Sequence, residues 1–356
     1  MPGTGKTTII RHFIKMIGLE LTNVKFVAFT GKAALVMHSK GLPATTIHKL
    51  IYDTFEEEYE VMDKEGNKRK KTRLKFVKKT SLDESIKLIV LDECSMISDK
   101  LWDDLLSFNI QVIVLGDPGQ LPPVQGKSPF DNLEPDAFLD EVVRQAEGDP
   151  IIHLATLARQ GKRLSYGNYG PNAYVDRLDN IRDSDLLQSD IVITTTNQLR
   201  DDLNNYIREL KGFKSKLPEI NDKLICRKNN WDEGTSSCPL VNGLIGYNQE
   251  IIEISNDGKT FDMVFKPEIS KKTMSLSCNV DIFNAQNNNA RQEIIKNRYS
   301  KGEMFEFGYA ITSYLSQGSE YKDVTIYHVP FGNNDLRRKL LYTEITRSQK
   351  VLRLYL

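Results

Sequence analysis

Three short, unbroken apolar runs set the frame of this chain: Leu88-Ile89-Val90-Leu91, Val112-Ile113-Val114-Leu115 and Ile191-Val192-Ile193. A strand wetted on one face alternates apolar and polar residues, so an uninterrupted run predicts a strand covered on both faces, as in a parallel α/β sheet. Each run opens into polar residues: Asp92-Glu93, then Gly116-Asp117-Pro118-Gly119-Gln120-Leu121-Pro122-Pro123, then Thr194-Thr195-Thr196-Asn197. Open α/β sheets assemble their ligand chemistry at such strand ends. A helical period runs over 8–17 and stops at Gly18, and a second helix is predicted over 200–209.

Two stretches break this pattern. After Leu50, Tyr59-Glu60-Val61-Met62, a turn at Lys64-Glu65-Gly66-Asn67 and Arg73-Leu74-Lys75-Phe76-Val77 read as a β-hairpin. Its return arm carries Lys68, Arg69, Lys70, Lys71, Arg73, Lys75, Lys78 and Lys79 around Phe76, which is either a nucleic-acid grip or a solvated charged face. From about 211 to 304, short strands are predicted at 224–227 and 242–246. A hairpin follows, 250–255 and 261–265 about Asn256-Asp257-Gly258, and a patternless polar loop lies near 285–289.

Ahead of the first helix stands Pro2-Gly3-Thr4-Gly5-Lys6-Thr7-Thr8, the second half of the phosphate-binding pattern G-x-x-x-x-G-K-[ST]. Glycines let consecutive backbone N–H groups turn onto an anion, and the following helix adds its positive end. Gly3, Thr4, Gly5 and Thr8 would then line the phosphates of ATP. Lys6 would reach the β/γ-phosphates and the Thr7 hydroxyl would hold Mg²⁺. A glycine turn that merely caps a core helix gives the same local pattern. The first glycine of the full pattern falls ahead of Met1, so the expectation is a chain without the front of its loop and the strand that feeds it. Asp92 is placed to hold the same Mg²⁺, Glu93 to polarise an attacking water, and Gln120 to sense the γ-phosphate.

Composition narrows the field without choosing. At 356 residues the chain suits two domains, each able to bury a core. Lys plus Arg and Asp plus Glu both number 48, so neutrality calls for a local basic groove if nucleic acid is bound. Cys94, Cys226, Cys238 and Cys278 form no C-x-x-C pair, which argues for free thiols rather than a zinc site or iron–sulfur cluster. No signal peptide or long apolar span appears; the expectation is an intracellular, cytoplasmic protein of a bacterial or phage-infected cell with no membrane association.

Asp92-Glu93-Cys94-Ser95-Met96 and Gly116-Asp117-Pro118-Gly119-Gln120-Leu121-Pro122-Pro123 resemble helicase motifs II and III of superfamily 1, and the RecD-like and Dda-like branch, superfamily 1B, is the nearest in kind. Phe29-Thr30-Gly31-Lys32-Ala33-Ala34 resembles motif Ia, and Thr45-Thr46-Ile47-His48-Lys49-Leu50 the segment after it. Val143-Arg144-Gln145 resembles motif IV, 312–320 motif V, and Tyr342-Thr343-Glu344-Ile345-Thr346-Arg347 motif VI. The order matches over nearly the whole chain.

The resemblance implies an α/β fold of two RecA-like P-loop NTPase domains. Domain 1A would take residues 1–140, with a β-hairpin insertion (1B) at about 52–82. Domain 2A would take 141–356, with a small SH3-like β-barrel insertion (2B) at about 211–304. It implies two arginine fingers, Arg144 and Arg347, which suit the charge that spreads over a γ-phosphoryl in transfer. Gln317 and Glu320 would sit at the nucleotide. Thr30, Gly31, Thr46, His48, Thr312 and Tyr314 would face single-stranded DNA, and Phe76 would stand near the fork on a strand-separating pin. Tyr314-Leu315 replace the His-Lys pair usual in motif V: the tyrosine still offers a ring to stack, the leucine no phosphate contact.

These readings converge on an ATP-dependent, 5′→3′ helicase that steps along single-stranded DNA and opens duplex or forked DNA. It would act as a monomer alongside replication or recombination proteins. Two alternatives stand: a truncated relative that binds nucleic acid without hydrolysing ATP, and a small-molecule P-loop kinase. The arginine motifs and the long separation of Lys6 from Asp92 count against the kinase.

Overall fold

The computed structural model describes residues 6–62, 68–131, 133–139, 148–235, 238–297 and 299–356, with the backbone alone at 6–8, 56, 58–62 and 68–74. In chain order the strands begin with β1 (Val24–Ala28) and β2 (Ala44–Thr46). The hairpin arms β3 (Tyr52–Met62) and β4 (Lys68–Lys78) come next, then β5 (Leu88–Asp92) and β6 (Gln111–Val114). There follow β7 (Gly167–Asn168), β8 (Ala173–Asp176) and β9 (Ile191–Thr194). Seven short strands come after these: β10 (Lys223–Cys226), β11 (Asn230–Thr235), β12 (Cys238–Leu240), β13 (Ile245–Ile254), β14 (Thr260–Pro267), β15 (Met274–Asn279) and β16 (Phe305–Phe307). The chain closes with β17 (Ala310–Thr312), β18 (Tyr321–Tyr327) and β19 (Ser348–Tyr355).

By their contacts the residues divide into two compact units. The first joins Met1–Ile47, Asp83–Gly212 and Tyr309–Leu356 and holds two sheets. One is parallel, ordered β2-β1-β5-β6. The other, ordered β17-β9-β18-β19-β8-β7, is parallel except for its edge strand β7. The unbroken apolar runs at β5 and β9 are buried at nearly every position, as a doubly covered strand requires. The run at β6 differs: its residues are only half-buried, because no strand pairs its outer side among the described residues.

Helices cover these sheets through single apolar faces. Lys6–Met16 buries Ile10 and Ile14 and leaves Ile9, Phe13 and Met16 exposed. Asn197–Leu210 extends the predicted helix by three residues at its front, because the Thr196 hydroxyl caps it by accepting the Leu199 N–H.

The second unit joins His48–Leu82 to Phe213–Gly308. β3 and β4 pair antiparallel over all eleven residues of each arm, in a register that sets Glu60 opposite Lys70 and Glu57 opposite Arg73. The arms are longer than the apolar pattern alone predicts. The turn predicted at 64–67 lies outside the described residues. A five-stranded antiparallel sheet, ordered β15-β14-β13-β10-β16, makes up the rest with the pair β11-β12. Two details depart from expectation. The strand predicted over 242–246 is a turn that enters β13, with Gly243 at φ 90° and its N–H on the Cys226 carbonyl. The polar stretch at 285–289 opens a helix, Asn288–Lys296, whose cap is the Asn287 side chain accepting the Ala290 N–H. All four cysteines are buried and none is in a disulfide; burial pushes the Cys226 thiol up to about 12.

Candidate active site

Asp92 ends β5, level with Ala28 of β1, and Glu93 follows at φ 56°. A left-handed backbone at a non-glycine residue costs about 1–2 kcal/mol. Here it turns the chain sharply enough for the Glu93 N–H to reach the Asp92 carboxylate at 2.9 Å. The two predicted acids therefore part at once, one held on the strand end and one carried into the following turn. Beside them, β6 leads to the loop of Asp117 and Gln120. Gln120 is buried, and its side-chain oxygen has no hydrogen-bond partner among the described residues.

The other sheet supplies the facing wall. Gln317 is buried and donates through Nε2 to the Leu121 carbonyl at 3.2 Å, so Gln317 and Gln120 meet around one residue. The Gln317 side-chain oxygen is also buried and unpartnered among the described residues. Gly318 packs against the Gly31–Ser39 helix: a Cβ at this φ 72° position would stand 2.8 Å from the Ala33 Cβ. Close by, the Lys32 ammonium donates to the Tyr321 hydroxyl at 2.9 Å. Arg347 is 2 % exposed, with its guanidinium donating to the carbonyls of Thr343 and Ser319 and to the Thr346 hydroxyl at 3.0, 3.1 and 3.0 Å. The Glu320 carboxylate accepts from Gln349 at 2.8 Å.

Of the phosphate-loop residues, Gly3, Thr4 and Gly5 lie outside the described residues. Lys6, Thr7 and Thr8 open the Lys6–Met16 helix, with only their backbone described. Arg144 also lies outside. Asp92 fits Mg²⁺ in its chemistry: a carboxylate on a strand end is a hard oxygen ligand, and this ion needs few protein ligands because phosphate and water supply the rest. Among the described residues no three His, Cys, Asp or Glu side chains gather as a closed metal cage.

The residues expected to face a strand are divided between the two units. Thr30 caps the Gly31–Ser39 helix by accepting the Ala33 N–H, and buried Gly31 follows it. Thr46 ends β2, buried. Thr312 caps the short turn after β17, and Tyr314 stands half-buried in that turn, its phenol pushed up by burial. Nearby, the Thr194 and Thr195 hydroxyls are buried without partners among the described residues. In the second unit, His48, Tyr52 and Phe76 form a ring cluster with centroids 5.8–6.0 Å apart, and Phe76 is 53 % exposed. Burial holds the His48 imidazole below its ordinary value. Lys75 bonds Glu57 at 3.2 Å and Lys79 lies 3.8 Å from Asp53, so these two lysines are matched within the hairpin.

Asp117, Tyr342 and Thr343 were not singled out by sequence. They lie in quoted motifs, but their contacts join positions more than two hundred residues apart, and no local pattern signals that.

Two largely parallel α/β sheets, one with an acidic strand end and a buried glutamine loop, define an α/β fold of the RecA-like kind. Residues 1–180, half of the chain, match the AAA-domain family, and residues 307–355 match the UvrD-like helicase C-terminal domain. The chain belongs to the AAA-domain family. The ATP-dependent RecD2 DNA helicase of Deinococcus radiodurans is 25 % identical over 385 residues, covering 98 % of this chain and 45 % of that protein. An uncharacterized protein of Methanocaldococcus jannaschii, MJ1519, is also 25 % identical, over 98 % of this chain and 35 % of its own length. The chain thus spans less than half the length of these two relatives. It covers 93 % of uncharacterized protein R530 of Acanthamoeba polyphaga mimivirus, at 24 % identity. Among solved structures, Pif1 helicase from Bacteroides matches with a TM-score of 0.57 at 17 % identity, over 99 % of this chain and 86 % of that one. Pif1 from Candida albicans matches with a TM-score of 0.56 at 16 % identity, over 99 % and 89 %. The fold is shared with both. Among the described residues no helix is long and apolar enough to cross a membrane.

Proposed function

We propose that this chain is an ATP-dependent DNA helicase that moves 5′→3′ on single-stranded DNA and opens duplex and forked DNA. One observation carries the reading: Gln317 of the second sheet closes on the loop of Gln120 from the first, leaving both amide oxygens buried and unpartnered among the described residues. A nucleotide seated there would be sensed by both sheets. In this reading Lys6 and the amides of Gly3, Thr4, Gly5 and Thr8 hold the phosphates, and Thr7 and Asp92 hold Mg²⁺. When bound, the ion would neutralise charge on the β/γ-phosphates. Glu93 takes the proton of the attacking water and Gln120 orients the water against the γ-phosphate. Arg144 and Arg347 stabilise the transferring group, and Gln317 and Glu320 line the nucleotide on the second side.

The two parallel sheets are then domains 1A and 2A, the hairpin is 1B, and the five-stranded sheet belongs to an SH3-like 2B. Thr30, Gly31, Thr46, His48, Thr312 and Tyr314 grip single-stranded DNA through hydroxyls, amides and rings. Phe76 sits at the fork. The Bacteroides Pif1 structure holds ADP-AlF3 and single-stranded DNA, and a second Pif1 structure concerns forked duplex DNA; these are the ligands expected here. The helicase would act as a monomer in the cytoplasm, in replication or recombination.

The test is ATP hydrolysis with and without single-stranded DNA. Strong stimulation is expected, with Lys6→Ala lowering the stimulated rate by about a hundredfold or more. DNA binding with a flat, Lys6-independent rate would instead support the hydrolysis-deficient alternative.

A further inference from the structure

The loop that carries Gln120 is held from the second sheet by more than Gln317. The Tyr342 hydroxyl donates to Oδ2 of Asp117 at 2.6 Å, and Thr343 Oγ1 accepts the Leu121 N–H at 3.2 Å. Asp117 passes the restraint inward: its other carboxylate oxygen accepts the Gly119 N–H at 3.0 Å, and its carbonyl accepts the Gln120 N–H at 3.1 Å. The Tyr342 ring lies so close that a Cβ at Gly119 would stand 2.8 Å from its Cε1. Asp117, Gln120, Leu121, Tyr342 and Thr343 are each at most 3 % exposed, so these bonds form out of reach of water. A buried hydroxyl–carboxylate bond is charge-assisted and strong, and losing one partner strands the other. The backbone of residue 120 is therefore fixed on both sides, while its side-chain oxygen stays unpartnered among the described residues.

We propose that Tyr342, Thr343 and Asp117 form a clamp that positions Gln120 for hydrolysis only while the second sheet is seated against the first. The proposal rests on the ATPase reading above. Tyr342 and Thr343 are positioning residues: they touch the loop, and the loop presents the glutamine. They stand on the Asn334–Ile345 helix, whose following residue pair, Thr346 and Arg347, carries the arginine assigned to the transition state. One helix thus places the arginine and aligns the glutamine together, so hydrolysis waits for a single docking event.

Tyr342→Phe removes one hydroxyl and keeps the ring, and Thr343→Val removes the acceptor while keeping the shape. Each should lower kcat of DNA-stimulated hydrolysis by about ten- to a hundredfold, with KM for ATP within twofold of wild type, since misalignment is felt in the transition state. Tyr342→Phe combined with Asp117→Asn should lose no more than the worse single change. Amide hydrogen exchange on the nucleotide-free protein supplies a reading that needs no turnover: Gly119 should exchange faster in Tyr342→Phe and Leu121 faster in Thr343→Val. Unchanged exchange at both amides overturns the clamp. So does a fall in melting temperature with kcat intact, which marks a purely structural role. A wild-type protein that hydrolyses no ATP overturns the ATPase reading, and the exchange rates still decide the clamp.

Discussion

Glu344 has no exposed surface, yet it carries a carboxylate in the core of the second sheet. Both oxygens are engaged: Ser313 Oγ lies 2.5 Å from one, and His328 Nδ1 lies 2.7 Å from the other. The same Ser313 oxygen lies 3.0 Å from the Thr194 carbonyl, so one acid ties together the ends of β9, β17 and β18. Removing it strands the buried His328 imidazole and leaves the Ser313 hydroxyl only the Thr194 carbonyl. Glu344→Ala should cost about 3 kcal/mol or more of stability by urea unfolding, and Glu344→Gln, which keeps the shape and an acceptor, about 1 kcal/mol. Sequence marked Gln120, Asp92 and Arg347 because their residue types in those motifs carry recognisable chemistry. It passed over Glu344 and Tyr342 in the same motif as Arg347, because an acid on a helix ordinarily faces water and a tyrosine ordinarily fills core. Their roles come from partners 16 to 225 positions away.

The short helix Asp183–Gln188 is pinned to the second sheet by one side chain. Asp185 accepts from the hydroxyls of Tyr174 on β8 and Tyr355 on β19, and from Arg182 Nε at 3.0 Å. Burial alone would push its carboxyl up, but those two hydroxyls and the Arg182 guanidinium outweigh it and bring it below the ordinary range. A carboxyl lowered in the folded state stabilises the fold at pH values above its unfolded pKa, about 3.9, and loses that contribution as pH falls through the folded value. The urea midpoint should therefore fall as pH drops below about 5, and Asp185→Asn should flatten that fall while lowering the midpoint near neutrality. At this scale the sequence was most legible where period and length agree, as in β5, β9 and Asn197–Leu210. It was least so where a turn residue or a cap decides: Asn242-Gly243 reads as strand until its turn is seen, and the asparagine run reads as loop until Asn287 is seen capping a helix.

The two compact units have different makings. The hairpin and the 213–308 segment fall together, and within that unit the Lys49 ammonium sits 4.7 Å from the Trp231 ring centre. Two insertions read separately from sequence thus share one body. If the hairpin is the strand-separating element, replacing 53–78 by a short Gly-Ser link should abolish unwinding of a forked duplex while DNA-stimulated ATP hydrolysis persists; loss of both together would contradict that division of labour. Strand order was not legible at all. A doubly covered strand has the same apolar pattern whichever strands flank it, so nothing local places β18 and β19 between β9 and β8.

That order bears on how the protein is made. β8 and β9 leave the ribosome one after the other, but the two strands that belong between them are encoded at 321–355. Through the synthesis of well over a hundred intervening residues, each nascent strand has an unfilled ladder facing the gap. The seven strands β10 to β16 appear in that interval, and each is an available wrong partner. A ribosome that stalls before 321 would release a chain whose second sheet is open at its centre, making late-stalled nascent chains natural clients for chaperones or for degradation.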